Sequence, residues 1–305
     1  MMLIPQRITT EKISYPLWED KGIEISIKRL DQIHELASGN KFFKLKYNLE
    51  KAISEGHDTI LTFGGAYSNH IYACAAAAKS ANLHSIGIIR GEETLPLNPT
   101  IASALEHGMH IHYVSREEYR KKTESDFLIS LKEKFGNFYM IPEGGNNEEA
   151  IKGTTEILDQ DDSEYTHIAT SIGTGGTFSG LANKINEDQI LMGFSSLKGD
   201  FIHDEIKSLL EKYKITPKGK TQVIDQYHFG GYGKVNSDLI DFIRWFYKEF
   251  EIAIEPIYTG KMIYGLFEMI KNDQIASGSK ILILHTGGLQ GLAGFNHRYG
   301  LSLPL

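Results

Sequence analysis

The sequence predicts an α/β protein built on two mostly parallel sheets, and three observations carry that prediction. Apolar runs of strand length alternate with segments of helical period along nearly the whole chain, the order that produces right-handed β-α-β units. Roughly nine or ten such runs occur, many for a single parallel sheet, so two sheets in two lobes are expected. Glycine supplies 30 of 305 residues, above the usual ~7%. Much of the excess gathers in short clusters: Gly64-Gly65, Gly144-Gly145, Gly173-Thr174-Gly175-Gly176, Gly230-Gly231 and Gly287-Gly288.

Taken in order, Ile23, Ile25 and Ile27 alternate with Glu24, Ser26 and Lys28, the period of a half-buried strand. Ser38-Gly-Asn-Lys41 opens a segment with Leu45, Leu49 and Ala52-Ile53 at helical spacing, and Gly56 is a natural stop. Residues 59–63 read as a buried strand, 68–83 as an alanine-rich helix and 85–89 as a strand. A helix over 99–106 has Pro99 in its first turn. Strand 109–114, helix 126–135 and strand 138–141 follow. Further strands are expected at 167–172, 190–194, 222–224 and 280–284, with helices near 148–158, 177–184, 202–213, 237–250 and 260–271. The least regular stretch, 214–221, reads as a surface loop, and no internal repeat is present.

Composition removes several function classes. Charged residues at 23% with ordinary aromatic content argue against disorder. A single cysteine, Cys74, excludes an internal disulfide and any multi-thiolate metal site, and fits a reducing, cytoplasmic setting. A net charge of −7 leaves no electrostatic footprint for nucleic acid. No run approaches the ~20 apolar residues of a membrane span, and the first residues lack a signal-like apolar stretch.

Three glycine clusters sit where a strand ends and a helix can begin: after Phe63, after Ile172 and after His285. In open α/β sheets, ligands bind beyond the carboxyl ends of strands. Glycine there admits a ligand to the backbone, and a helix start favours an anion. Gly173-Thr174-Gly175-Gly176-Thr177 therefore reads either as a phosphate cup with two hydroxyl donors or as a tight turn without a ligand. The lysine of a P-loop is missing after it, and Phe178 stands where a dinucleotide fingerprint needs glycine. A phosphate monoester fits better. Lys41, in the first turn of its helix, is disfavoured as an ammonium by the helix dipole, so its pKa is expected to fall. A free amine is what a Schiff base requires. Lys44, one turn on and on the same face, can neutralise a phosphate. Taken apart from the Gly-Asn context, Lys41 is one of several surface lysines.

Ser38-Gly-Asn-Lys-Phe-Phe-Lys-Leu-Lys-Tyr47, Gly64-Gly-Ala-Tyr-Ser-Asn-His70, Gly173-Thr-Gly-Gly-Thr177, Pro256-Ile-Tyr-Thr-Gly-Lys261 and His285-Thr-Gly-Gly288 occur in that order. Together they resemble the 1-aminocyclopropane-1-carboxylate deaminase/D-cysteine desulfhydrase family, from about residue 5 to the end. The resemblance implies the two-domain fold type II architecture of pyridoxal 5'-phosphate enzymes, related to the tryptophan synthase β-subunit. Each domain is then an open, mostly parallel twisted sheet flanked by helices. The implied division is a large cofactor-binding domain of residues 1–43 and 144–305 and a smaller one of 44–143 carrying the Ser68-Asn69 loop. A homodimer is the common assembly in this family.

The resemblance further implies Lys41 as the Schiff-base lysine, Asn69 on the cofactor's ring hydroxyl and the Gly173–Thr177 loop on its phosphate. Ser68 matches the serine at the substrate carboxylate and reacting carbon; from the sequence alone it is also a helix N-cap. Tyr67, Asn69 and His70 would line the substrate with it. Tyr232 and Tyr258 match two tyrosines facing the substrate. Where the deaminases carry a glutamate after the second tyrosine this chain has Thr259, as the D-cysteine desulfhydrases do. Thr286 resembles the hydroxyl residue that meets the pyridine nitrogen. Two hydroxyls imply an unprotonated ring and a weaker electron sink. That suits β-elimination of a D-cysteine-like amino acid to pyruvate, ammonia and sulfide better than ring opening of 1-aminocyclopropane-1-carboxylate, the alternative. A non-catalytic homologue and an amino-acid racemase are further rivals.

Three departures from the family pattern, Phe43, Tyr67 and Ile71-Tyr72-Ala73, predict a bulkier, less polar wall and put substrate identity in question. Outside these motifs the constellations are weak. His110 and His112 share a strand face without a third ligand, and His84 and His203 have no partners at metal spacing. Glu117-Glu118 and Lys132/Lys134 read as solvated faces, and Cys74 as packing.

Overall fold

Strands in chain order are β1 (Thr10–Ile13), β2 (Glu24–Lys28), β3 (Thr59–Gly65), β4 (His84–Arg90), β5 (Met109–Val114), β6 (Tyr139–Ile141), β7 (His167–Ile172), β8 (Ile190–Ser195), β9 (Lys220–Ile224) and β10 (Lys280–Leu284). The computed structural model describes residues 3–304, and within them these strands form two sheets. One has six strands in the order β1-β2-β10-β7-β8-β9, the other four in the order β5-β4-β3-β6. All neighbours run parallel except β1, which pairs antiparallel with β2 at the edge of the larger sheet.

Both sheets are covered by apolar layers on each face, as parallel sheets require. In β10, Ile281 and Ile283 face one layer with Ile25, Ile27 and Met192. Leu282 and Leu284 face the opposite layer with Ile168 and Leu191. The smaller sheet repeats this, with Ile60 and Ile89 on one side and Leu61, Phe63 and Ile88 on the other. The Asn69–Ser80 helix lies on the first of these faces. Ala73, Cys74 and Ala75–Ala78 are all buried along it, and their small side chains let the helix approach the sheet closely.

Several expectations change on folding. β2 is not half-buried: Ser26 and Lys28 are buried as well, on the face they share with Leu282 and Leu284 of β10, which a second apolar layer covers. The Lys28 ammonium is taken up by Asp162, itself buried, and by Asp159 at 2.9 Å. β9 begins at Lys220, inside the stretch expected to be loop. The short helices Pro16–Glu19 and Arg116–Arg120 and the Gly291–Tyr299 helix are additional to the expected set. Glu118 is not merely solvated, since it closes a capping box with Ser115. His110 and His112 stack on Phe135, and no group of three metal-ligating side chains exists among the described residues. No helix among them is long and apolar enough to cross a membrane.

Candidate active site

A cleft of about 620 Å³ is lined by residues of both sheets' strand-to-helix loops, and most of the motif residues meet there. Lys41 stands in the first turn of the Asn40–Ser54 helix. Gly39 caps that helix with φ +66°, and a Cβ on it would lie 1.9 Å from the Thr286 carbonyl oxygen. The 38–41 and 285–288 motifs therefore pack backbone against backbone, and glycine is required for both conformation and space. This contact places the lysine beside Thr286.

The Lys41 ammonium donates to Asn40 Oδ1 at 3.1 Å. Its pKa falls from 10.5 to about 8, chiefly through burial and against the pull of the Glu255 carboxylate. The direction matches the sequence expectation, but burial is the physical cause. Lys44 is buried, donates to the Gly144 carbonyl at 2.8 Å and lies beside Gly176. Burial first, then the Lys41 charge, push its pKa well below the usual lysine range.

The Gly173–Thr177 loop leads from β7 into the Gly176–Ala182 helix. Gly175 takes a left-handed φ of +81°. Thr177 Oγ1 accepts from Asn40 Nδ2 at 2.8 Å, tying the loop to the lysine's helix. Gly173, Thr174, Gly175 and Thr177 line the cleft, and Gly144 borders it against Thr174. Thr286 Oγ1 and Ser171 Oγ stand 3.2 Å apart at another point of the same cleft.

Ser68 ends the β3 loop and caps the Asn69–Ser80 helix, accepting from the amides of His70 at 3.2 Å and Ile71 at 3.3 Å. Asn69 lines the cleft beside Gly288. His70 lines it too, but its Nε2 is engaged with Thr62 Oγ1 at 2.8 Å, and burial with the two lysine charges lowers its pKa well below 6.5. Tyr258 and Tyr232 meet edge to face at 6.0 Å between ring centres. Burial raises the Tyr258 pKa well above 10, so its phenol stays protonated at neutral pH. Burial likewise pushes Cys74 up to about 12, leaving it an inert thiol.

Two predicted residues, Gly176 and Thr259, do not line the cleft. Thr259 is fully buried behind Tyr258, its hydroxyl donating to Glu255 Oε1 at 3.1 Å. Sequence reasoning overlooked Glu255. Its carboxylate accepts from the amides of Ile257 (2.7 Å), Tyr258 (2.9 Å) and Thr259 (2.6 Å), and so holds the Tyr258 turn. Lys261 was overlooked as well. From the next helix it donates to the carbonyls of His228 (2.9 Å) and Gly231 (2.8 Å), anchoring the Tyr232 loop. Of the positions expected to alter the wall, Tyr67 and Ala73 line the cleft, while Phe43, Ile71 and Tyr72 do not. Arg90, Arg116 and Arg298 line the cleft too, and the glycine after Arg90 was the available strand-end signal.

A family model described as pyridoxal-phosphate dependent enzyme matches residues 8–287. The chain belongs to this family. An Arabidopsis thaliana protein named bifunctional D-cysteine desulfhydrase/1-aminocyclopropane-1-carboxylate deaminase, mitochondrial, is 31% identical over 302 residues, 89% of this chain and 74% of that one. A Pyrococcus horikoshii protein provisionally named 1-aminocyclopropane-1-carboxylate deaminase is 30% identical over 282 residues, 88% of this chain and 86% of that one. The solved structure of an ACC deaminase homologue superposes with a TM-score of 0.83 at 27% identity, covering 98% of this chain and 93% of that one. The protein is thus a pyridoxal-phosphate enzyme of the lyase/deaminase type with the fold type II architecture. Its donor set fits the cofactor: a half-buried lysine of lowered pKa, a glycine loop with Thr174, Thr177 and Lys44 about it, and the Ser171–Thr286 hydroxyl pair.

Proposed function

We propose that this enzyme eliminates the β-substituent of a small D-amino acid, D-cysteine being the simplest case, to give pyruvate, ammonia and the leaving group. The observation that carries the reading is the Ser171–Thr286 hydroxyl pair. Such hydroxyls would offer the cofactor ring no charged partner, which is enough when a good leaving group departs early. Glu255, a buried acid beside Gly288, spends its oxygens on backbone amides and Thr259.

Pyridoxal phosphate supplies an electron sink for the pair left at the substrate's α-carbon. In this reading Lys41 would hold the cofactor, and its amine, when free, would take the substrate's α-proton. The lowered pKa keeps a useful fraction of that amine neutral. Gly173–Thr177 and Lys44 hold the phosphate, and Asn69 orients the ring. Ser68 and the helix start behind it receive the substrate carboxylate, with Tyr67 and His70 bounding that side. Tyr258 donates a proton to the leaving group, and Tyr232 closes over it. Thr259 acts on the cofactor only through the Glu255 turn.

The division into residues 1–43 with 144–305 and 44–143 belongs to the same proposal. Sheet membership supports it, since β1, β2 and β7–β10 fall in the first part and β3–β6 in the second. The 43/44 boundary lies inside the Asn40–Ser54 helix, so one continuous helix joins the two parts. A cytoplasmic homodimer completes the proposal. The names of the relatives favour a second reading, ring opening of 1-aminocyclopropane-1-carboxylate to 2-oxobutanoate. Assay of the holoenzyme on D-cysteine, β-chloro-D-alanine, D-serine and 1-aminocyclopropane-1-carboxylate separates them. Pyruvate with sulfide from D-cysteine is the expected result. Faster 2-oxobutanoate production from the cyclopropane would replace the first reading by the second.

A further inference from the structure

The outer zone of the cleft has no role in that reaction. Arg90 ends β4 in register with Gly65 of β3. Arg116 opens the Arg116–Arg120 helix, and Arg298 lies in the last turn of the Gly291–Tyr299 helix. Three of the chain's seven arginines, from three separate elements, thus converge on one cleft in a protein of net charge −7. Among the described residues the arginine ion pairs belong to Arg29 and Arg244 only.

Arg90 lies over the Tyr119 ring at 5.5 Å, and Arg298 lies 6.0 Å from the Tyr67 ring and 5.4 Å from the Tyr299 ring. Stacking fixes a guanidinium plane while leaving its N–H edge free for an anion. Glu143 is the one acid lining the cleft among the described residues, and its carboxylate faces Lys122 at 3.4 Å. In the proposed reading Lys44 and the glycine loop answer the cofactor phosphate. The mouth therefore carries an excess of positive charge: three guanidinium groups outside any ion pair among the described residues, against one carboxylate that Lys122 already meets. A low-dielectric cleft of one sign concentrates ligands of the other.

We propose that the mouth of the cleft receives a negatively charged β-substituent, a phosphate or a sulfonate carried by the amino-acid substrate, with Arg90 and Arg298 as its direct partners and Arg116 adding to the field. This rests on the β-elimination reading and deepens it. The balance is simple for O-phosphoserine. The α-proton goes to Lys41, the Cβ–O bond breaks with its electron pair going to phosphate, and one water completes pyruvate, ammonium and inorganic phosphate.

The test compares the holoenzyme with Arg90→Gln, Arg298→Gln and the double variant on O-phospho-D-serine, S-sulfo-D-cysteine and β-chloro-D-alanine. Loss of charge-assisted bonds should lower kcat/KM for the two anionic substrates about tenfold to a hundredfold. The uncharged β-chloro substrate should change less than about threefold. Added salt should narrow the gap in the wild type. Variants that lower all three substrates alike would put the guanidinium groups on the carboxylate every amino acid shares and overturn the inference. So would variants that leave all three unchanged. If nothing yields pyruvate, it is the elimination reading that fails. Calorimetric titration of the holoenzyme with O-phospho-D-serine against D-serine then decides the inference alone. Tighter phosphoserine binding that the double variant abolishes supports it, and equal affinities refute it.

Discussion

Capture of pyridoxal phosphate by the apoprotein should follow the titration of Lys41, because only the neutral amine attacks the aldehyde. With a pKa of about 8, roughly a tenth of the amine is neutral at pH 7 and roughly nine-tenths at pH 9. The capture rate should therefore rise about tenfold between these values and then level off. An ordinary lysine at 10.5 would be neutral to roughly 0.03% at pH 7 and 3% at pH 9, a rise of about a hundredfold that continues beyond. Stopped-flow growth of visible absorbance, normalised to a simple amine to remove the cofactor's own titration, reads the difference. Borohydride reduction and peptide mapping confirm the residue. A rate still climbing about tenfold per pH unit above pH 9 would refute burial as the controlling environment. The same shift has a stability consequence. Between pH 8 and 10.5 the unfolded chain holds a proton on Lys41 that the folded apoprotein has released, so stability gains as pH rises through this window. Below pH 8 the buried ammonium costs at most about 3 kcal/mol, so apo Lys41→Met should melt above wild type at pH 7 while losing capture entirely.

Three further outcomes follow from the geometry. Ser68→Ala removes the acceptor of the His70 and Ile71 amides and should cost about 1 kcal/mol in urea unfolding; a fall in kcat/KM well beyond tenfold assigns it a site role too, whereas a loss confined to stability leaves it a cap. Gly39→Ala forces a Cβ to within 1.9 Å of the Thr286 carbonyl oxygen at a left-handed φ. Strain of about 1–2 kcal/mol adds to that overlap, and both melting temperature and cofactor retention should fall. Lys261→Met frees the carbonyls of His228 and Gly231. Its expected signature is raised KM and faster proteolysis near Gly230-Gly231 with the cofactor spectrum unchanged; an unaltered KM would separate this lysine from Tyr232.

The cluster positions and the chemistry were legible because they are local. Ser68 before an alanine run is a cap wherever that helix packs. Glycines after Ile172 and His285 mark strand ends without knowledge of the partner strand. The edge strand β1 escaped notice because four residues, Thr10–Ile13, are too short to show a period. The Pro16–Glu19 helix escaped for the same reason. Lys28 read as solvent-facing since alternation reports two faces but not whether the second is covered. Only the apolar layer over that face, with Asp162 arriving from a distant turn, makes it an internal ion pair.

By itself, the sequence determined the α/β order, the two sheets, and the lysine and glycine loop that pyridoxal phosphate requires, all features written within a few residues of one another. Tertiary structure decided what depends on distant segments meeting. Burial rather than the helix dipole lowers the Lys41 pKa. Thr259 turns inward to Glu255 rather than toward the cofactor. Lys261 holds a loop some 30 residues away in sequence. Three arginines from three elements meet at the same cleft. Desolvation and charge convergence are properties of a three-dimensional neighbourhood, and no window of sequence contains one.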